Sequence, residues 1–532
     1  MPTSDSASSP GAFEVRALLV ILALAAALRL AGLDLLPGFS GDEGYEAFYG
    51  WQSAEHRVFQ MNPVRPYLGP WFLWLMAPFV SFGVTPFLAR LPVALLGVAA
   101  VGLAWAVGRR LGGRAAGLGS ALLMATAPFA VLFSRLSLSV ATTPFWALLT
   151  CLLLLRLIDA PRWPRGLAMG AALGAAVSFH PQGLLLGPVA VALVLIIPAG
   201  KDLLRAPAAL VAVVAGFCLV AWPVWVMILD QVGLGPGIDY SGTWVGQKVS
   251  YTVAERLARS PGQLLDGFAG GRMLHWVAGP SSMNPPGERL VWGLIAVGAI
   301  GGAARLVRAP TRHAIAWAVA TILAIGLTVL RSADFDLGGL TRERYLLTGL
   351  TLSVPMLAWG LLGEPTGSDR RERLVAGGLL GAIASSHLLF LVWGFFGPMI
   401  RTGGDPEPSF RAGTPDVKVQ AVDWMLDRIG EDDGLLLAGD GWSYWPFVAL
   451  TGEAFPADFV PQDPEACAAI LRRTTHRRRW LVDYAGWHWT ATIERCLAAS
   501  GHGGMPPAFV GVDNSGRPVL TVWELPPETH AP

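Results

Sequence analysis

Charge is what this chain has least of. Asp, Glu, Lys and Arg supply 14% of 532 residues while hydrophobic residues supply 53%, a balance that argues against a soluble enzyme. Acidic residues are almost missing from the long apolar runs, so the midplane ionisable ladder of a transport path is not written here. Lys and Arg together number 39 and Asp and Glu 38. With no basic stripe standing out from the loops, a nucleic-acid partner is not indicated. Cysteines number four. Cys151 and Cys218 fall in apolar runs and read as small packing residues. Cys467 and Cys496 lie near the C-terminus, where an oxidising compartment would permit a bridge that spacing alone does not decide.

What is abundant is membrane-length apolar sequence. The first run, 15–33, lacks a small-residue cleavage site and reads as a retained helix. Further runs cover 87–108, 115–133, 139–158, 166–180, 183–199, 206–229, 289–304, 313–330, 345–362 and 374–397, giving a polytopic α-helical membrane protein of about eleven transmembrane helices. A shorter run, 68–83, carries Pro70 and Pro78 and falls short of a full crossing. The positive-inside rule decides its place. If it lies at the outer interface, anchored by Trp71 and Trp74, every short basic cluster falls inside: Arg109, Arg110 and Arg114; Arg156, Arg162 and Arg165; Lys201 and Arg205; Arg305, Arg308 and Arg312; Arg370, Arg371 and Arg373. We therefore read 68–83 as an interfacial helix.

That topology divides the chain into a membrane module, 1–400, and an outer region, 401–532. The module's outer loops are 34–86, 230–288 and a short 331–344. In the outer region the polar composition is ordinary and the pattern alternates. Helices are expected at 417–429, 464–473 and 490–500, and strands at 434–438, 480–484 and 518–524, so this is a small soluble α/β domain.

Adjacent carboxylates, Asp42 and Glu43, stand where the first run emerges, followed at helical spacing by Tyr45, Glu46, Phe48 and Tyr49. A carboxylate there can serve as a general base or hold a divalent cation, and aromatic faces stack on sugar rings. Equally, acids at a helix start complement its dipole. Trp442, Tyr444, Trp445, Trp487 and Trp489 form a second aromatic set in the outer domain.

The stretch from Gly41 to Gln52, then Arg65-Pro66-Tyr67-Leu68-Gly69-Pro70-Trp71, Phe82 through Pro92, Phe133-Ser134-Arg135-Leu136-Ser137-Leu138-Ser139 and Arg344-Tyr345-Leu346-Leu347 resembles glycosyltransferase family 39, which contains the protein O-mannosyltransferases and the lipid A aminoarabinose transferases. The likeness covers about 15–360. It implies a GT-C-like bundle and transfer of a monosaccharide from a polyprenyl-phosphate carrier to a protein, lipid or polysaccharide acceptor at the outer face of a membrane, expected to be the bacterial cytoplasmic one. By resemblance, Asp42 would be the base and Glu43 its support or a metal ligand, with a divalent metal as the one cofactor. Arg65 would meet the carrier phosphate, and its fork suits that task. The chain departs from the aminoarabinose transferases at Tyr67, where they have a second Pro, and at Val64, where they have an acid.

Other candidates are Arg344 and Arg272 as phosphate ligands, Tyr45, Tyr67 and His180 as substrate contacts, and His275 as a second metal ligand. Arg342 and Arg344 could instead snorkel to lipid headgroups, Arg135 could serve either purpose, and His275 beside Trp276 could simply pack. An inverting displacement would need only a base, because the carrier phosphate is already a good leaving group and cations can stabilise it. No nucleotide-binding glycine loop occurs in a strand-to-helix setting. An oligosaccharide ligase or polymerase, and a lipid or solute transporter, are the competing readings.

Overall fold

The computed structural model describes residues 11–56, 70–231, 268, 270–279, 285–308, 310–331, 342–363, 370–406, 408–429, 434–454, 456–461, 463–473, 478–487 and 490–525. Helix α1 is Ala12–Leu30, α2 is Gly41–Glu55, α3 is Trp71–Val80 and α4 is Pro86–Thr126. All the apolar runs read from the sequence are helical. The second and third share α4, which is broken at Gly112 and Gly113, the latter with φ of 78°. Only glycine takes that backbone cheaply, so the turn between two apolar spans costs no intervening loop. Among the described residues six helices are long and apolar enough to cross a membrane: Pro86–Thr126, Ser139–Asp159, Arg289–Arg308, Arg312–Val329, Arg344–Leu362 and Arg371–Thr402. Helix α3, at ten residues, is about 15 Å long, half a bilayer's hydrocarbon depth. It lies at the position read as interfacial, and the Trp71 indole donates to Val220 O at 2.9 Å.

Packing inside the module follows the small residues. Gly166, Gly170 and Gly174 repeat every fourth position on Trp163–Phe179, and a methyl at each would strike the backbone of 209, 213 or 217 on Pro207–Val220 within 2.8 Å. Close helix approach of this kind gains dispersion contacts where the hydrophobic effect between lipid-bathed helices is absent. At one end, Glu14 of α1 pairs with Arg109 at 2.9 Å and with Arg114 at 3.5 Å, and Arg110 pairs with Asp159. Residues from the clusters read as cytoplasmic thus converge at one end of the bundle.

The opposite end carries the C-terminal domain. Its five strands are β1 Gly434–Ala438, β2 Ala457–Phe459, β3 Arg478–Tyr484, β4 Phe509–Val512 and β5 Pro518–Leu525, in the order β2-β1-β3-β5-β4. β1 runs parallel to β2 and β3, while β5 is antiparallel to both β3 and β4. Helices at Val417–Ile429, Pro464–Arg473 and Thr490–Ala499 stand where they were expected. The helix Gly441–Thr451 does not appear in the sequence reading, which divided the aromatics here between sugar stacking and core packing. We call it the docking helix. Cys467 and Cys496 are bonded, their Cα atoms 5.7 Å apart, and tie helix Pro464–Arg473 to Thr490–Ala499.

Candidate active site

Three buried arginines build the platform from which the acid helix rises. Arg135 donates to the carbonyls of Leu28, Gly32 and Leu36, and Arg90 to those of Leu33, Pro37 and Gly38. Arg29 reaches Met124 O and Ala125 O at the end of α4. These carbonyls belong to helix ends and the connecting loop, where a buried acceptor needs a donor that regular structure does not supply; Gly32 O accepts from the Leu35 and Leu36 amides as well. Arg135 is fully buried, with Phe395 and Phe396 stacked on its guanidinium. It holds backbone and meets neither phosphate nor lipid headgroup.

Glu43 is likewise spent. Its carboxylate accepts from Arg90 Nε at 2.7 Å and Arg90 Nη2 at 2.8 Å, from Ser137 N at 2.9 Å, and from Ser40 N and Ser40 Oγ at 3.0 and 3.1 Å. Ser40 is the N-cap of α2 and Glu43 its third residue, so Glu43 reaching back to the Ser40 N–H satisfies a donor that the helix start would orphan. The expectation that Glu43 supports the base or holds a metal gives way to a structural role. Both oxygens are occupied, and the adjacent guanidinium would repel a cation. Among the described residues no group of three or more His, Cys, Asp and Glu side chains could hold a metal ion.

Asp42 is different. One position earlier on α2 it points to the mouth of the bundle, 16% exposed, and its Oδ2 meets Arg344 Nη1 at 3.4 Å. The two lie 302 residues apart in sequence. Arg344 belongs to a 3₁₀ turn, Arg342–Leu346, at the start of the helix Leu347–Leu362. Its guanidinium stacks over Tyr345 at 5.3 Å and Tyr345 faces His180 at 6.3 Å between ring centroids. Gln182 fastens the two turns by donating to Arg344 O at 2.5 Å and accepting from Thr348 Oγ1 at 3.4 Å. Asp42, Arg344 and His180, chosen separately from the sequence, are therefore joined in one cluster through Tyr345 and Gln182.

The remaining candidates divide. Tyr45 is 2% exposed and packs edge-on to Tyr49 and Trp445, each at 5.3 Å. It belongs to the seam with the docking helix, away from open solvent, so a substrate contact is replaced by a packing one. Of the outer aromatic set, Trp445 packs on Tyr45, Phe48 and Tyr49, Tyr444 stacks on Phe459 at 4.1 Å, and the Trp487 indole is hydrogen-bonded to Asp440 at 3.0 Å. These rings fill interfaces. His275 lies on Gly271–Ala278 beside Trp276, whose ring packs on Phe410 at 4.8 Å, and burial pushes the imidazole pKa down. No described carboxylate joins it. Arg65, Tyr67, Trp489 and the side chain of Arg272 lie outside the described residues.

Sequence reasoning named Arg90, Ser137 and Ser139 only inside family-like stretches and Glu46 only as part of an acid face, and gave none of them its structural role. Glu46, one turn beyond Glu43, accepts from Ser139 N at 2.8 Å and Ser139 Oγ at 3.2 Å. The missed signal was an arginine inside an apolar helix with no acid on that helix, which must find its counter-ion elsewhere.

Part of the sequence and the fold as a whole match known proteins. Residues 64–226 match the family model of dolichyl-phosphate-mannose-protein mannosyltransferases. The fold aligns with the crystal structure of ArnT from Cupriavidus metallidurans bound to undecaprenyl phosphate, at 14% identity and a TM-score of 0.63, covering 95% of this chain and 97% of that one. It also aligns with the oligosaccharyltransferase of Archaeoglobus fulgidus in the apo form, at 12% identity and a TM-score of 0.50, over 92% of this chain and 71% of that one. No curated protein matches the chain. At such identities the structural likeness shows the fold, that of the GT-C membrane glycosyltransferases, a helical bundle with a C-terminal α/β domain, and the family match over 64–226 agrees with it.

Proposed function

We propose that the protein transfers a monosaccharide from a polyprenyl-phosphate carrier to an acceptor hydroxyl at the outer face of a bacterial cytoplasmic membrane, with inversion. The observation that carries this reading is the Asp42–Arg344 pair at the mouth of the bundle. A carboxylate set against a guanidinium offers both halves of the chemistry, a base for the acceptor and a cation for the departing phosphate. Arg344 releases Asp42 as it turns to the phosphate, so the base is exposed only when the donor is seated. Undecaprenyl phosphate in the ArnT structure supports a polyprenyl carrier. The Cys467–Cys496 bond supports an outer placement of the C-terminal domain, because such bonds persist in oxidising compartments.

The test is sugar transfer from a panel of radiolabelled polyprenyl-phosphate monosaccharides by purified protein in lipid. Transfer that disappears in Asp42→Asn supports the reading. An Asp42→Asn variant as active as wild type would move the base elsewhere, and silence of the wild type across the panel would favour a lipid-linked oligosaccharide donor.

A further inference from the structure

The outer domain grips the acid helix at its root. Just before α2, Phe39 N donates to Asp416 Oδ2 at 2.7 Å, across 377 residues of sequence. Asp416 is 1% exposed and its other oxygen accepts from Lys418 N at 2.9 Å and Lys418 Nζ at 3.1 Å. Lys418 is itself fully buried and donates to Ser409 O at 3.1 Å. Next to this bond Gly38 N donates to Phe410 O at 2.9 Å, and a methyl on Gly38 would meet Arg411 O at 2.4 Å. On α2 itself, methyls at Gly41 and Gly44 would meet the Trp442 Cα at 2.7 Å and the Pro446 N at 2.6 Å on the docking helix. The loop and first turn of α2 thus lie in a mould whose one wall is the membrane module, through Arg90 and Glu43, and whose other wall is the C-terminal domain.

We propose that Asp416, held by Lys418, is a positioning residue for Asp42, and that the outer domain completes the catalytic constellation. The inference rests on the reading of Asp42 as the base. A bound geometry in error by about 1 Å costs on the order of 100-fold in rate, and Asp42 is three residues from the Phe39 amide. A carboxylate with its counter-ion buried beside it is a fixed acceptor, because releasing either partner leaves a charge uncompensated.

Two full-length double variants in lipid test it. Asp416→Asn with Lys418→Met removes both charges and the acceptor of the residue 418 N–H, as the valine pair also does, but keeps one amide oxygen to accept the Phe39 N–H. Asp416→Val with Lys418→Met removes the charges and the acceptor together. The asparagine pair is expected to transfer sugar close to the wild-type rate. The valine pair is expected to lose on the order of tenfold or more in kcat with the donor KM unchanged, and only in it should deuterium enter the amides of residues 38–46 faster. Equal kcat and equal exchange in the two folded variants would overturn the proposal. Exchange is read whether or not a donor is found. A protein inert to every donor but showing the exchange difference counts against the sugar-transfer reading alone, whereas transfer with no exchange difference counts against the positioning role. If the valine pair does not fold, Gly44→Ala presses a methyl on Pro446 across the same seam, and unchanged kcat and exchange there would also overturn it.

Discussion

The two ends of the membrane module use charge in opposite ways. At the basic end Glu14 is buried at 3%, but its partner Arg114 is 54% exposed, and Arg110 and Asp159 are 32% and 47% exposed, so water screens the Arg110–Asp159 pair and weakens the Arg114 one. Such pairs are worth roughly 0–1 kcal/mol each. At the opposite end, Arg90 with Glu43 and Lys418 with Asp416 are 0–1% exposed and hydrogen-bonded on several sides. Buried pairs gain little net stability against a hydrophobic replacement, yet breaking one by removing a single partner costs about 3–5 kcal/mol. One end therefore tolerates variation and the other fixes a geometry.

Substitutions can break that contrast at graded strength. The largest effect is expected for Arg90→Ala, which strands the Glu43 carboxylate and three loop carbonyls. Stability should fall by at least about 3–5 kcal/mol, read as a lost or strongly lowered thermal transition in detergent. A transition within a degree or two of wild type would show that the platform is not held by this residue. Asp42→Asn leaves the fold intact and should lower transfer about 10²- to 10⁴-fold, the usual worth of a general base, measured under saturating donor. Arg344→Gln should act on donor handling, with a loss on the order of 10- to 100-fold in kcat/KM, and a loss confined to the acceptor KM would contradict its assignment to phosphate.

A pH effect of smaller size is expected inside the outer domain. Burial pushes the Asp483 carboxyl up to about 7, against hydrogen bonds from Thr490 Oγ1 and the Tyr484 N–H that pull it down. A carboxyl with a raised folded-state pKa binds its proton more tightly in the folded domain. Its contribution is complete below the unfolded value near 3.8 and is lost as pH rises through about 7. Thermal stability of the domain should therefore decline from pH 4 to 7, and Asp483→Asn should flatten that decline. An unchanged slope in Asp483→Asn would rule this group out as the source. The smallest effect belongs to the basic end, where Arg110→Gln should cost less than about 1 kcal/mol.

These contrasts explain what could be read from the letters alone. The apolar runs, the short helix α3 and most elements of the C-terminal domain follow from local pattern, since hydrophobic length and alternation are properties of contiguous sequence. Asp42 and Arg344 stood out because a charge at a helix mouth is conspicuous. That they meet is a matter of tertiary packing across 302 residues, which no local pattern encodes. Glu43 misled because an acid beside an acid invites a chemical reading. Its capping partner Ser40, three residues earlier, was a legible sign of the structural one. The docking helix was hidden for a similar reason: Trp442, Tyr444 and Trp445 look like a ligand platform until the glycines that receive them, Gly41 and Gly44, are seen across the seam.

The Phe39–Asp416 bond also sets an order of assembly. Ribosomes deliver the acid helix first, and the amide at its root waits for a carboxylate made 377 residues later. Any chain interrupted before Asp416 carries α2 without the wall that holds its root. On the proposed reading of Asp42, the catalyst is armed only when the C-terminal domain arrives, and copies interrupted before it stay silent.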